Sequence, residues 1–194
     1  MEEKLKGYSE MLLKWNKSIN LISKTTESQI WERHILDCKQ LLEFVDQDKP
    51  LLDFGSGAGL PGIILSICGV KKVYLVESDV RKCAFLRLAA RISSNQTYVI
   101  NERIENLGHL QEFREEKTLS DCLVVSRALA KISTLLDFYD KLGLKGGLLL
   151  LKGENFHQEL EESFAVWDFE YNIEASKTNT KSAIIAIKNV RTKT

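Results

Sequence analysis

Leu51-Leu-Asp-Phe-Gly-Ser-Gly-Ala-Gly-Leu-Pro-Gly62 decides how the rest of the chain is read. A short apolar run closes on Asp53 and Phe54, and three glycines then alternate with small residues. Pro61 opens the apolar stretch that follows. The first run has the length of a buried strand. Gly55, Gly57 and Gly59 allow a tight turn whose bare backbone a ligand can approach. Pro61 suits the first turn of a helix, where its missing N–H costs nothing. Strand, glycine turn and helix N-terminus together make a nucleotide-type site. The next apolar run, Lys72-Val-Tyr-Leu-Val-Glu77, ends in a carboxylate about 20 residues on, the spacing at which an acid holds ribose hydroxyls.

Working outward, strand-like runs alternate with helical patterns. Leu51–Phe54 and Val73–Val76 read as the first two strands, with Ile63, Ile64, Leu65 and Ile67 on a short buried helix between them. Residues 80–92 form an amphipathic helix with Phe85, Leu86, Leu88 and Ala89 inward. Thr97–Ile100 is a third strand, followed by the loop 101–106 into a helical piece. Asp121–Ser126 is a fourth strand, Ile132–Leu142 a helix, and Leu148–Leu151 a fifth strand after the turn Lys145-Gly-Gly147. Such alternation predicts an α/β fold with a mostly parallel sheet and helices on both faces. Ala165–Ile173 and Ser182–Asn189 are joined by a short polar loop, so they form a hairpin with one strand antiparallel to the set. The outline is the Rossmann-like, seven-stranded sheet of the class I methyltransferases.

Before the glycine loop, residues 1–49 read as an N-terminal helical extension packed on the sheet, with 50–194 as the nucleotide-site domain. Leu5, Tyr8, Leu12 and Trp15 recur at spacings of three and four, an apolar stripe. Thr26 or Ser28 is expected to cap a second helix that turns Ile30, His34, Leu41 and Leu42 inward.

Composition narrows the function classes. With 44% hydrophobic and 28% charged residues, the chain is an ordinary globular one. No apolar run approaches the ~18 residues of a membrane span, and the start lacks a signal peptide, so a cytoplasmic protein is expected. Cys38, Cys68, Cys83 and Cys122 are scattered without a C-x-x-C pair, as reduced thiols rather than zinc ligands. Basic and acidic residues balance at 27 each, which argues against strong non-specific nucleic-acid binding. The segments 71–91 and 177–194 are nevertheless locally basic.

Gly57-Ala-Gly-Leu-Pro-Gly62 also satisfies G-x-G-x-x-G, the dinucleotide fingerprint. A dehydrogenase needs further chain for its second substrate, and only a hairpin follows the fifth strand. Asp53 also suits an ammonium-bearing ligand better than a pyrophosphate. Methyl transfer is therefore favoured over NAD(P)-dependent hydride transfer. The stretch Ser126-Arg-Ala-Leu-Ala130 after the fourth strand is not the N-P-P-Y element of amino-group methylation. Cys122 stands inside an apolar run rather than in the Pro-Cys loop of pyrimidine C5 methylation. Guanine N7, with an in-plane lone pair and no proton, needs only alignment.

Further motifs carry a resemblance. Trp15-Asn-Lys-x-x-Asn-Leu, Arg33-His-x-x-Asp37, the loop Asp53–Gly62, Glu77-Ser78, Phe85-Leu86, Arg103-Ile-Glu105, Ser126-Arg-Ala128 and Lys152-Gly153 occur in order. Together they resemble the bacterial ribosomal RNA small subunit methyltransferase G (glucose-inhibited division protein B) family. The resemblance implies S-adenosylmethionine as cofactor and N7 of a guanine in the 530 loop of 16S rRNA as target. A monomer acting on 16S rRNA or the small ribosomal subunit is expected, without membrane or metal, and no catalytic residue is assigned. Carried over by position, Asp53, Gly55, Gly57, Leu60, Glu77, Ser78, Ile104, Glu105 and Arg127 bind the cofactor. Arg33, His34, Arg127 and Lys152 are candidates for RNA contact. Other readings stand beside these. Glu77 can instead cap the following helix, Arg103 and Glu105 can pair on the surface, and His34 can be a packed, hydrogen-bonded histidine. A non-catalytic, ribosome-associated nucleotide-binding protein is the second functional reading.

Overall fold

The computed structural model describes residues 1–110 and 119–193. At its centre Leu51–Phe54 forms strand β1, buried at all four positions. The other strands are β2 (Lys72–Glu77), β3 (Gln96–Asn101), β4 (Leu123–Arg127), β5 (Leu148–Lys152), β6 (Trp167–Ala175) and β7 (Ala183–Thr192). They form one seven-stranded sheet in the order β3-β2-β1-β4-β5-β7-β6. β1 lies parallel between β2 and β4, with Leu51 opposite Val73 and Leu123. β7 runs antiparallel to β5 and to β6. The hairpin therefore closes the sheet as its sequence implies.

Successive strand residues point to opposite faces, and here both faces are covered. Leu51, Val73, Leu75, Leu149 and Leu151 join one apolar core, while Leu52, Phe54, Tyr74, Val76, Leu148 and Leu150 join another. Strands covered on both sides read as uninterrupted apolar runs. Asp53 is the exception: strand parity aims its carboxylate into the first core.

The chain's front half builds that first core. Helix α1 (Glu2–Asn16) supplies Leu5, Tyr8 and Leu12, α3 (Gly62–Ile67) supplies Ile63 to Leu65, and α4 (Val80–Ala90) supplies Phe85, Leu86 and Ala89. Trp15 meets Phe85 edge-on, with ring centroids 5.8 Å apart. The second core lies under α5 (Ile132–Lys141) and α6 (Phe156–Ser163).

Residues 31–44 form one irregular helical segment: a π-helical stretch Trp31–Leu36, the short α2 (Asp37–Lys39), and a 3-10 stretch Gln40–Phe44. It grips the hairpin loop. Gln40 Nε2 donates to Ser176 Oγ at 3.1 Å, Lys177 N–H donates to Gln40 Oε1 at 2.9 Å, and Thr178 O–H donates to Asp37 Oδ1 at 2.6 Å.

Several local expectations are corrected. Ser23, not Thr26 or Ser28, caps the turn Lys24–Gln29, accepting from Thr25 N–H. Ile35 and Cys38 are buried beside His34 and Leu41, because the π-helical stretch shifts the inward face. Leu88 is 37% exposed, and Cys83 takes the inward place. β4 starts at Leu123, since Cys122 N–H closes a turn onto Leu119 O. Helix α6 has one buried apolar residue, Leu160, too faint a pattern to mark it. The helical piece expected after the loop 101–106 is, among the described residues, a 3-10 turn, Ile104–His109; residues 111–118 lie outside the described residues. Among the described residues no helix is long and apolar enough to cross a membrane.

The extension is joined to the glycine loop by one buried bond, from Tyr8 O–H to Ala58 O at 2.6 Å. Tyr8→Phe leaves that carbonyl without its donor and is expected to cost about 1–3 kcal/mol. Urea unfolding followed by circular dichroism measures this; an unchanged midpoint would show that the bond contributes nothing.

Candidate active site

Strand order reverses between β1 and β4, and in an open α/β sheet the crevice beyond the carboxyl ends of such strands is the place for a ligand. A cavity of about 560 Å³ opens there, within the range that holds a nucleotide-sized molecule. The loop after β1 forms its floor, Glu77 and Ser78 after β2 one wall, and Arg127 to Ala130 after β4 the other. Ile104 and Glu105 close the end past β3, and Leu21, Ile22 and His34 of the extension overhang it.

The glycine loop is bare where the cavity needs it to be. Gly57 adopts φ 53°, and a Cβ there would meet nothing nearer than Gly55 O at 3.8 Å. At Gly55 (φ 67°) a Cβ would strike Leu129 Cδ1 at 2.5 Å, so Leu129 lies directly on the loop. Ala128, just before it, is held at φ 53°, a left-handed conformation that costs a non-glycine residue energy and marks functional turns. No sequence pattern announced it.

Glu77 braces the loop. Its Oε2 accepts from Gly57 N–H at 2.9 Å and its Oε1 from Asp79 N–H at 2.8 Å. Capping of α4 falls to Asp79, whose Oδ1 accepts from Arg81 and Lys82 N–H at 2.8 and 3.3 Å. Glu77 thus lines the cavity next to the glycine backbone instead of serving as the helix cap.

The site residues named from the sequence fall in three places, with Arg127 lining both cavities. Gly55, Gly57, Leu60, Glu77, Ser78, Ile104, Glu105, Arg127 and His34 line the cavity. Arg33 and Lys152 line a second, neighbouring one of about 460 Å³. Asp53 lines neither: it is fully buried beneath the loop, where Oδ2 accepts from Gly62 N–H at 3.0 Å. Its Oδ1 has no hydrogen-bond partner among the described residues. Burial pushes the Asp53 carboxyl up to about 7, with the Gly62 and Ser56 bonds opposing. Sequence reasoning placed it against a ligand; strand parity places it in the core.

Arg127 is likewise engaged inward. Its guanidinium donates to Arg33 O at 2.9 Å, to His34 Nδ1 at 3.0 Å and to Cys38 Sγ at 3.6 Å, and lies 3.5 Å from Asp37 Oδ2. His34 is the packed histidine of the alternative reading. Because Nδ1 accepts from Arg127, the ring proton sits on Nε2 and is donated to Thr26 Oγ1 at 2.8 Å. Burial, then the Arg127 and Arg33 charges, lower His34 to about 4. Lys152 is buried too, donating to Ala130 O at 2.5 Å and Glu159 Oε2 at 2.6 Å. His34 is committed to Arg127 and Thr26, and Lys152 spends two of its three ammonium donors on Ala130 and Glu159. Sequence reasoning missed Lys82 on the cavity wall, and Arg103, weighed only in a motif and as a surface pair, lines the same wall.

Comparison with known proteins follows the same lines. The sequence profile described as GidB, rRNA small subunit methyltransferase G, matches residues 1–187. The chain belongs to the rRNA small subunit methyltransferase G family. The protein of that name from Rickettsia felis is 42% identical over 190 residues, covering 97% of this chain and 93% of its own length. Among solved structures, magnesium protoporphyrin IX methyltransferase from Synechocystis, with bound S-adenosylmethionine, superposes with a TM-score of 0.56. It is 13% identical, and 94% of this chain and 97% of that one are covered. An rRNA methylase from Streptococcus thermophilus superposes at 0.50 with 19% identity, over 79% and 93%. At those identities the likeness shows the fold alone. The methyl donor of this methyltransferase is S-adenosylmethionine, and the bare glycine loop beside the Glu77 carboxylate fits a ligand of that kind.

Asp53 yields a pH prediction. Its folded pKa of about 7 lies above the unfolded value of ~3.9. The native state therefore holds the proton longer, and this group's contribution to stability falls as pH rises from about 4 to 7. His34 acts oppositely over its own window, so the comparison is between wild type and Asp53→Asn, in which His34 is common to both. The variant should gain stability relative to wild type as pH rises through that window, by up to ~1.4 kcal/mol per pH unit. Urea titrations of the ligand-free protein from pH 5 to 8 measure the difference; a constant offset would refute it.

Proposed function

We propose that the chain transfers a methyl group to N7 of a guanine in the 530 loop of 16S rRNA. The observation that carries the reading is the cleft at the β1–β4 reversal, floored by bare glycine backbone and walled by Glu77, in a chain of this family. In it, Gly55, Gly57 and Leu60 would hold the methionine and ribose portion of the cofactor. Glu77 would hold the ribose hydroxyls, and Ser78, Ile104 and Glu105 the adenine. S-adenosylmethionine, when bound, supplies a methyl group on a positively charged sulfur. Guanine N7 brings an in-plane lone pair and no proton, so the chain's task is alignment rather than proton removal.

Thiol chemistry gains no support from the cysteines. Burial raises Cys38 to about 12 and Cys83 to about 11, so both stay protonated near neutrality. Cys122 is buried just before β4, at the opposite end of that strand from the cleft. A covalent route through a thiolate has no nucleophile among these three.

Labelled S-adenosylmethionine incubated with small-subunit particles from cells lacking the protein tests the reading. Label should enter 16S rRNA, and chain cleavage specific for 7-methylguanine should remove it from the full-length product. Label that survives this cleavage would overturn N7 as the target. Cofactor binding without transfer to any RNA would favour the non-catalytic reading. Glu77→Ala removes the acceptor from two backbone donors and from the proposed ribose contact. It should weaken S-adenosylhomocysteine binding by about 5- to 150-fold, seen by calorimetry.

A further inference from the structure

The second cavity abuts the first. The two share Arg127, Ala128, Leu129 and Ala130, and differ in what lies beyond that turn. Cavity one runs back over the glycine loop. Cavity two, about 460 Å³, runs on between the end of β5, helix α6 and the hairpin loop clamped by Asp37. The turn between them contains the left-handed Ala128 and the 40% exposed Leu129 side chain.

The polar groups of the second cavity are mostly spent on one another. Asp37 accepts from Thr178, Gln40 and Ser176 and faces Arg127. Asn179 is bonded to Ser182 and to Lys181 N–H. Two groups are not spent. Glu159 Oε2 receives both Lys152 Nζ, at 2.6 Å, and Ile132 N–H, at 3.0 Å, whereas its Oε1 accepts no hydrogen bond from a described residue. The Arg33 guanidinium, at the mouth of this cavity, likewise makes no hydrogen bond to a described residue.

We propose that this second cavity is the acceptor pocket: it takes one unstacked guanine, whose exocyclic N2 amino group donates to Glu159 Oε1 while Arg33 meets a flanking phosphate. The proposal rests on the functional reading above and adds the residue that recognises the base. N7 must face the donor cleft across the turn Arg127–Ala130, and N2 is the amino group on the far side of the ring from N7. A guanine with N7 at that turn directs N2 into the pocket, whose lining includes Glu159. A free carboxylate oxygen in that lining rewards guanine specifically, since adenine has no amino group at that position. Single-stranded loops are the RNA elements whose bases can leave the stack and enter such a pocket. Leu129 and Leu151 provide apolar surface for the ring. Arg33 offers a planar fork of donors for a phosphate.

The test compares small-subunit particles, reconstituted from ligated rRNA, that carry guanosine or inosine at the target. Inosine lacks only the N2 amino group. The wild-type protein should methylate inosine about 10- to 100-fold more slowly in single turnover, the loss for one hydrogen bond to a charged group. Glu159→Gln must keep its amide oxygen on Ile132 N–H and Lys152, so it turns an amide N–H into the pocket, where the N2 amino group cannot donate. In this variant guanosine should fall to about the inosine rate, so that the preference disappears. Its affinity for S-adenosylhomocysteine, read by calorimetry, should match wild type, since Glu159 does not line the donor cleft. Equal wild-type rates on the two bases would overturn the proposal even if the variant fails to fold. A Glu159→Gln protein that keeps the wild-type preference would overturn it as well. If wild-type protein methylates neither particle, the functional reading itself fails, and the pocket assignment with it.

Discussion

The guanidinium of Arg127 joins the two parts of this molecule that have to meet. It leaves the carboxyl end of β4, where the sheet's crevice begins, and spends its donors on the extension: a backbone carbonyl, an imidazole nitrogen and a thiol, beside the Asp37 carboxylate. A guanidinium this deep needs hydrogen-bond acceptors and a counter-charge, because an unpaired buried cation is expensive. The irregular segment 31–44 supplies them. Its π-helical stretch and the short α2 bring Arg33 O, His34 and Cys38 to one side, and Asp37 of α2 faces both Arg127 and the hairpin loop. Removing the extension would leave Arg127 charged, half-buried and without partners. Leu5, Tyr8, Leu12, Ile35 and Leu41 also share an apolar core with the sheet's first face.

A second consequence concerns protonation. Arg127 donating to His34 Nδ1 requires a lone pair there, which places the ring proton on Nε2 and aims it at Thr26, whose hydroxyl donates in turn to Ser23 O. The bonds run in one direction from the sheet to the cap of the first 3-10 turn. A second proton on His34 would break the link at its origin and set two cations against each other. Burial and the neighbouring arginines hold the ring neutral. Asp53 is the converse case, a carboxyl whose second oxygen finds no donor and whose proton is held by desolvation. Asp53 lies beneath the glycine loop with its carboxyl raised to about 7 by burial, and His34 overhangs the cleft with its ring held neutral.

The glycine loop itself is set by contacts from three strands' ends. Glu77 at the end of β2 fixes Gly57 N–H, Leu129 after β4 lies against Gly55, and Asp53 within β1 takes Gly62 N–H. Each contact fills a space that a Cβ would otherwise occupy or ties down an amide that would otherwise wander. A ligand entering the cleft meets a preformed surface, which lowers the ordering cost of binding. The Tyr8 hydroxyl on Ala58 O completes the brace from the far side.

How much of this the residues announce depends on the range of the interaction. The strands covered on both faces were legible as unbroken apolar runs, and the hairpin as two runs with no helix between. The glycine turn and the carboxylate that follows the next strand were legible because backbone conformation and strand parity act over a few residues. Wherever three-dimensional neighbours decide, the reading stopped short. Leu88 was expected inward with Phe85, Leu86 and Ala89, yet it is exposed in the packed molecule. Helix α6 was silent, having one apolar anchor. Asp53 and Arg127 were expected at the cofactor, while the hydrogen bonds they make run to Gly62 beneath the loop and to the extension. The left-handed turn at Ala128, and the second cavity it separates from the first, arise from segments more than a hundred residues apart. Local physics written in the chain determined the fold class, the glycine cradle and the family. Which buried charges are paired, and which carboxylate oxygen is left free to meet a substrate, only the packing of distant segments decided, because electrostatic and steric complementarity depend on distance in space and not along the chain.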